Sequence, residues 1–303
     1  MSSTPLAIKK KYTVFIPCYN AEKTVAETIV SVQKAITEMG VDIPVYVYDD
    51  CSKDASVKVA NETGSRQDNF SVIENAKNSG ERKTTNAAFK DLANSFDWAF
   101  VIHADDIVKK DWLTTLIGYI EQVDDKNCFT VWSSFDTFFN DSDKIDEGDN
   151  SGVVQQIVRT PESIKAFLTR LYCNWHISGA AINVALYHTL NGFDERMAQF
   201  GDTDFFVKGL LAGYTDVYIS RTLTLYRVLQ GSVSSVSVST NRDIKEAYML
   251  MEKYKGILNQ KDIGSINRII RRLSFRRMIK SLKQRNMSMA VTNLKYFSAS
   301  ILK

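Results

Sequence analysis

Apolar and polar positions along the first hundred residues fall into short alternating blocks. Residues 12–17, YTVFIP, form a nearly unbroken apolar run closed by proline, the pattern of a strand covered on both faces. Val25, Ile29, Val32 and Ile36 then recur at helical spacing, with Asn20 as a candidate cap and Gly40 as the stop. A second strand is expected over 43–48, a helix over about 54–64 capped by Ser52 or Asp54, and a short strand over 70–73. A helix over 81–95 carries Ala87, Ala88, Phe89 and Leu92, and a fourth strand covers 98–102. Strands alternating with helices predict an α/β fold with a mostly parallel central sheet flanked by helices. In such sheets ligands bind beyond the carboxyl ends of the strands.

The second half is less regular. Residues 128–135 read as a strand, 140–152 as a polar acidic loop without EF-hand spacing, and 161–171 as a helix with proline in its first turn. A strand over 177–182, helices over 184–190 and 203–212, and a strand over 216–219 follow. From about 241 the pattern is helical to the end. The expected organisation is an α/β domain over 1–240, divided into halves at about 108, and a helical appendage over 241–303.

Hydrophobic residues make up 44% of the 303, enough for a sizeable core. Cys18, Cys51, Cys128 and Cys173 are far apart and form no CxxC pair, which argues against a zinc site or a disulfide framework and fits a reducing cytoplasm. No secretory leader and no apolar run long enough to span a bilayer is read from the sequence. The net charge of +3 hides a division: residues 241–303 carry 15 Lys and Arg against 4 Asp and Glu, a balance of +11, and 1–240 carry 23 against 31, a balance of −8. Such a tail suits an anionic partner.

Chemistry concentrates in three acidic clusters: Asp49 and Asp50 after VYVY, Asp105 and Asp106 after AFVIHA, and Asp202 and Asp204 beside Gly201. Carboxylates at strand ends are costly to desolvate unless they bind a metal, a donor or a proton. No GxGxxG follows a strand and no GxxxxGK[ST] occurs, which excludes the common dinucleotide and P-loop frameworks. A nucleotidyltransferase would show a Gly-rich phosphate loop at the first strand, and Pro17, Cys18, Tyr19 and Asn20 stand there instead.

Over residues 12–235 these segments resemble family-2 glycosyltransferases of the GT-A fold. VFIPCYN (14–20) is similar to that family's opening strand, and YDDCSKD (48–54) to its VDDGSxD. Asn78 to Gly80 with Asn86 resembles NxGxxxARN, and HADD (103–106) its DADD metal motif. NGFDE (191–195), GDTDF (201–205) and the segment from Tyr226 and Arg227 to Ser234 follow in the family's order.

The resemblance implies an inverting transfer of a sugar from a UDP-linked donor to a glycan or lipid-linked glycan, in surface polysaccharide assembly. Pro17, Tyr19, Asn20, Asp50, Arg82, Lys83, Ala104, Asp105 and Arg227 would bind the donor, with Asp50 accepting from the base and Tyr19 stacking on it. Asp105 and Asp106 would hold Mn²⁺ or Mg²⁺, and oxygen ligands suit such cations. Asp202 would be the general base, with Asp204 its competitor; the family's Glu before this Asp is Gly201 here. His103 replaces the first Asp of the metal motif, either as a ligand or as a neighbour of the ribose. His103 and Gly201 also support an alternative, a non-catalytic sugar-nucleotide-binding scaffold.

Trp175 to Ala180 offers small residues beside an aromatic ring, either a sugar pocket or core packing. In the tail, Ile263, Ile266, Ile270 and Leu273 line one helical face, with Arg268, Arg271 and Arg272 away from it. A basic amphipathic helix over 263–285 either lies on an anionic bilayer, at the cytoplasmic face, or packs with its charges in water. Val291, Leu294, Phe297 and Ile301 suit packing or a dimer seam. No nucleic-acid recognition motif appears.

Overall fold

A computed structural model describes residues 8–65, 67–139, 154–157, 159–229 and 233–302. The acidic loop expected over 140–152 lies outside them. The chain divides into two compact units: Met1–Val158, Trp175–Glu195 and Lys208–Leu229 form the first, and Arg159–Asn174, Arg196–Val207 and Gln230–Lys303 the second.

The first unit opens with β1 (Tyr12–Cys18), α1 (Val25–Met39), β2 (Val45–Asp49), α2 (Ser56–Gly64), β3 (Phe70–Glu74), α3 (Glu81–Leu92) and β4 (Trp98–Val101). These elements follow the hydrophobic pattern closely, and β1 is buried at every position. α1 begins after Thr24, not Asn20, and closes on left-handed Gly40. Asn20 instead adopts a positive φ of 48° in the loop before it.

β5 (Ile107–Val108), α4 (Trp112–Ile120), β6 (Cys128–Phe138) and β7 (Val154–Ile157) continue the unit, as do β8 (Ala181–Asn183), α6 (Val184–Thr189) and β9 (Thr215–Arg227). Among the described residues the sheet has nine strands in the order β3-β2-β1-β4-β8-β6-β9-β5, with β7 on β9. The parallel part is β3-β2-β1-β4. From β4 onward the joins are antiparallel, except that β6 and β9 pair in parallel. β8 is shorter than expected and β9 much longer, because β9 carries the polar Ser220, Arg221 and Thr222 through its middle.

Val14, Ile16, Ile29, Val32, Phe100, Trp112, Leu116 and Val131 lie in one continuous core with at most traces of exposure. This core fixes the carboxyl ends of β1, β2 and β4 side by side: Cys18 stands level with Asp49, and β4 runs beside Tyr12 to Phe15.

The second unit contains α5 (Pro161–Arg170), α8 (Val233–Thr240), α9 (Arg242–Lys253), α10 (Gln260–Lys283) and α11 (Met287–Leu302). It also holds the residues up to Val207 of α7 (Gly201–Leu211). α5 has the expected proline start, capped by Thr160, and α10 opens with a capping box of Asn259 and Asp262. Among the described residues no helix is long and apolar enough to cross a membrane.

Gly179 is a test of this packing. Its φ is +91°, and a Cβ would meet Thr224 Oγ1 at 2.1 Å. Its N–H bonds Val101 O at 2.7 Å and its carbonyl accepts from Trp112 Nε1 at 3.0 Å. Gly179→Ala should cost about 2–4 kcal/mol from backbone strain and overpacking. The denaturation midpoint checks this; an unchanged midpoint would show that Thr224 yields freely.

Candidate functional site

The loops beyond β1 and β2 are laced together. Asn20 N–H donates to Ser52 Oγ at 2.8 Å, and Asn20 Oδ1 accepts from Lys53 N–H at 2.8 Å. Ala21 N–H reaches Ser56 Oγ at 2.7 Å, Glu22 N–H donates to Asp54 Oδ2 at 3.1 Å, and Glu22 Oε2 accepts from Ala55 N–H at 2.9 Å. Asp49, 1% exposed, accepts the N–H of Ser52 at 2.8 Å and its hydroxyl. Asp49 is thus a turn-former. Pro17 and Ala104 meet through an Ala104 N–H to Pro17 O bond of 3.3 Å, and Tyr19 lies 49% exposed at the end of β1.

Asp50 is 3% exposed and organises the loop after β3. Its Oδ1 accepts from Ser79 N–H at 2.8 Å and Asn75 Nδ2 at 3.1 Å, and its Oδ2 from Gly80 N–H at 2.7 Å. Gly80 has a φ of +89°, a conformation that side chains disfavour. A carboxylate offers about four acceptor positions, and these bonds fill three of them.

The 103–106 turn is held from three sides. From α1, Thr24 Oγ1 donates to Ala104 O at 2.9 Å and Thr28 Oγ1 to Asp106 O at 2.7 Å. From the segment before β8, Ser178 Oγ accepts His103 N–H at 3.0 Å and donates to Asp106 Oδ2 at 2.5 Å. From the end of β9, Arg227 N–H donates to Asp106 Oδ1 at 2.9 Å and Arg227 Nε to Asp105 O at 2.9 Å. Arg227 is 6% exposed, pairs with Glu27, and stacks over Phe138 at 4.4 Å.

His103 faces Glu81, its Nε2 3.4 Å from the carboxylate, and Arg82 Nη1 lies 3.1 Å from the same oxygen. Burial would raise the Glu81 pKa, but Arg82 and then His103 outweigh it and hold Glu81 well below the carboxylate range. Burial would lower the His103 pKa; the Glu81 carboxylate overrides it, helped by Asp106 and Asp105, and pushes it up to about 9. Glu81 also opens α3, where a helix N-terminus favours negative charge. Arg82 stacks over Phe193 at 4.6 Å, whereas Lys83 is exposed and 3.8 Å from Glu195. Asn86 receives Tyr187 Oη at 2.5 Å and binds Phe193 and Glu195, so Glu195 helps fasten that loop.

Asp105 and Asp106, with His103, offer ligand atoms within 4.8 Å of one another. Burial first, and the Asp105 charge second, raise the proton affinity of Asp106. A divalent cation would offset these like charges. The bonds from Ser178 and Arg227 are of the kind that orient a ligating carboxylate. The donor set therefore fits Mg²⁺ or Mn²⁺, and oxygen ligands are what such cations take.

Beside this turn stands an aromatic wall. His176 lies 5.5 Å from His103, 5.1 Å from Tyr226 and 5.9 Å from Phe135, ring centre to ring centre. All four rings are partly exposed. Trp175 is not part of it: 1% exposed, it donates to Thr130 Oγ1 at 3.1 Å within the core.

In the second unit, α7 begins at Gly201, two residues earlier than expected, so Asp202 lies inside its first turn. Asp204 has no exposed surface and is enclosed by Lys253 Nζ at 2.6 Å and Tyr254 Oη at 2.8 Å. Asp202 is partly exposed. Glu27 and Glu81 were not legible as site residues, and Ser178 was legible only as part of the 175–180 segment, not as a partner of Asp106. Glu81 follows the NSG segment directly, which is a usable signal; Ser178 and Glu27 reach the turn only through tertiary contacts.

The family model for Glycosyl transferase family 2 matches residues 13–188, and the chain belongs to that family. It is a glycosyltransferase with the GT-A fold. No curated protein sequence matches the chain. Among solved structures, S. aureus TarS 1–349 aligns with a TM-score of 0.57 and 15% identity, covering 95% of this chain and 91% of that one. The same protein in complex with UDP-GlcNAc aligns at 0.57 and 16%, covering 95% and 92%. The mannosyltransferase PcManGT from Pyrobaculum calidifontis, in complex with GDP-Man and Mn²⁺, aligns at 0.57 and 13%, covering 100% and 88%. At these identities the likeness is one of fold.

Glu81→Gln should leave His103 and Arg82 without their carboxylate and cost about 1–3 kcal/mol. In a His103→Gln background the same change should cost less, the difference being about 0.5–3 kcal/mol. Urea unfolding of the four proteins checks this; equal costs in both backgrounds would show no coupling.

Proposed function

We propose that this glycosyltransferase inverts configuration as it moves a sugar from a UDP-linked donor to a hydroxyl of a glycan or lipid-linked glycan, in surface polysaccharide assembly. The observation that carries the donor reading is the Asp105–Asp106 pair, fixed by Ser178, Arg227, Thr24 at the start of α1 and Thr28 within it. A divalent cation held there by Asp105 and Asp106 would stabilise charge on the departing diphosphate. His103 stays outside that coordination set, because its Nε2 faces Glu81. Against the scaffold alternative stands the intact carboxylate pair.

The roles of the chain's other residues follow from their places. Tyr19 offers an exposed ring on which the base stacks, and the open acceptor position of Asp50 takes the base N–H. Pro17, Asn20 and Ala104 shape the backbone floor between the first strand and the metal turn. Phe135, His176 and Tyr226 give the sugar an apolar ring face. Arg227 positions the metal turn, as its bonds to Asp105 O and Asp106 indicate; Arg82 and Lys83 contribute positive charge at the start of α3. Asp202 takes the acceptor proton. The acceptor oxygen then bonds to the anomeric carbon, the bond to the diphosphate oxygen breaks, and configuration inverts. Asp202 is preferred to Asp204 because it is partly exposed, whereas Asp204 has no exposed surface.

The tail adds a surface. Ile266 and Ile270, on the stripe expected either to face a bilayer or to pack, are 1% and 0% exposed and thus follow the packed reading. The exposed large apolar residues of these helices are Phe275, Ile279 and Leu282 of α10 and Met287, Val291, Leu294 and Ile301 of α11. Exposed Arg268, Arg272, Arg276 and Lys283 share the α10 face by helical spacing, and 263–303 contain no acidic residue. Such a face fits an anionic bilayer at the cytoplasmic leaflet, where a lipid-linked acceptor would be met.

Two measurements test these readings. With a UDP-sugar and Mn²⁺, Asp202→Asn should lower nucleotide release by about 100-fold or more and leave donor affinity within about twofold. Undiminished release would remove Asp202 from the mechanism. Vesicles containing phosphatidylglycerol should retain the protein in low salt, and Phe275→Ser or Leu282→Ser should each weaken retention about tenfold. Equal partition onto neutral phosphatidylcholine vesicles would contradict the electrostatic part.

A further inference from the structure

The residues just before Asp202 are gripped by a single side chain. Glu246 of α9 is 1% exposed, and its carboxylate accepts three consecutive backbone N–H groups. Ala198 N–H donates to Oε1 at 3.0 Å, and Gln199 and Phe200 donate to Oε2 at 2.8 and 2.9 Å. A buried carboxylate is tolerated only when its acceptor positions are filled, and bonds to an ionised acceptor are among the strong ones. The negative charge also lies at the N-terminal end of α7, where the orphan N–H groups and the helix dipole favour it.

The same helix holds the next turn. Lys253 and Tyr254, seven and eight residues further along, bind the Asp204 carboxylate at 2.6 and 2.8 Å. Positions i, i+7 and i+8 share one face of a helix, and Leu250 on that face is 1% exposed. α9 therefore grips the chain at 198–200 and again at 204, with Asp202 between the two grips. All of these residues belong to the second unit.

We infer that Glu246 is a positioning residue for Asp202: its carboxylate fixes the backbone from which the proton acceptor projects. This rests on the reading of Asp202 as the base. The consequence is a split in kinetic constants. Loosening 198–200 misplaces the base and lowers kcat, whereas donor binding, assigned to residues of the first unit, is untouched. Misplacement of a catalytic group by about an ångström costs on the order of 100-fold.

The test compares Glu246→Gln, Glu246→Asp and Asp202→Asn, singly and combined, using UDP-sugar turnover with Mn²⁺ and donor binding by calorimetry. Glu246→Gln should lower kcat about tenfold or more, with donor Kd within about twofold. Glu246→Asp keeps the charge but withdraws it by one methylene; it should fold and lower kcat about threefold. Adding Glu246→Gln to Asp202→Asn should lower the residual rate no further, because groups acting as a unit are not additive. Full turnover in Asp202→Asn would overturn the base assignment. Loss in Asp202→Asn with unaltered kcat in both Glu246 variants would overturn the positioning role. An equal further loss in the Asp202→Asn background would assign Glu246 to general stability and likewise overturn it.

Discussion

Asp106 has no exposed surface, yet it lies just past the end of a parallel strand, beside a second carboxylate. Its burial is tolerable because each oxygen is answered by a protein donor, the Ser178 hydroxyl on one side and the Arg227 N–H on the other. That requirement reaches far into the first unit. Ser178 must be brought in by the segment leading to β8, and Arg227 by the end of β9. Gly179, next to Ser178, can follow this path only with a left-handed backbone against Thr224.

The Arg227 guanidinium then completes the arrangement. Its Nε holds the Asp105 carbonyl and its far end meets Glu27 of α1, so the turn is fixed at its backbone and its carboxylates together. Thr24 and Thr28, one helical turn apart, bind two further carbonyls of the turn. What is left to Asp105 is a partly exposed side chain beside its buried neighbour, the arrangement a divalent cation would complete. The Glu81–His103 pair takes over the position where the family pattern has another acid, and a cationic partner there removes one like charge from the cluster.

Much of the first unit was legible because its parallel strands are buried on both faces and read as apolar runs. β1 to β4 fall within two residues of the ends expected. The acids stand at strand ends, so their convergence followed from topology alone. Legibility failed where a contact is made at long range or where a strand is amphipathic. β9 continues through Ser220, Arg221 and Thr222, which break the apolar pattern while the pairing with β6 persists across register shifts. Ser178 stands in a segment that reads as pocket or core, and Glu246 carries no local signal; each meets its partner more than forty residues away in the chain, Ser178 the Asp106 carboxylate and Glu246 the Ala198 N–H. The apolar stripe of α10 was visible, and of its two readings Ile266 and Ile270 follow the packed one, while Phe275, Ile279 and Leu282, which the stripe did not include, face outward.

On the proposed reading, the buried Asp106 and its neighbour Asp105 hold the metal through which the donor diphosphate binds. Calorimetric titration of UDP into the wild-type protein, with Mn²⁺ and then with EDTA, tests it most directly when repeated on Asp105→Asn. Binding that requires Mn²⁺ and is lost in Asp105→Asn, while the variant keeps its unfolding midpoint, is the predicted result. Binding of equal strength in EDTA, or in Asp105→Asn, would contradict the account.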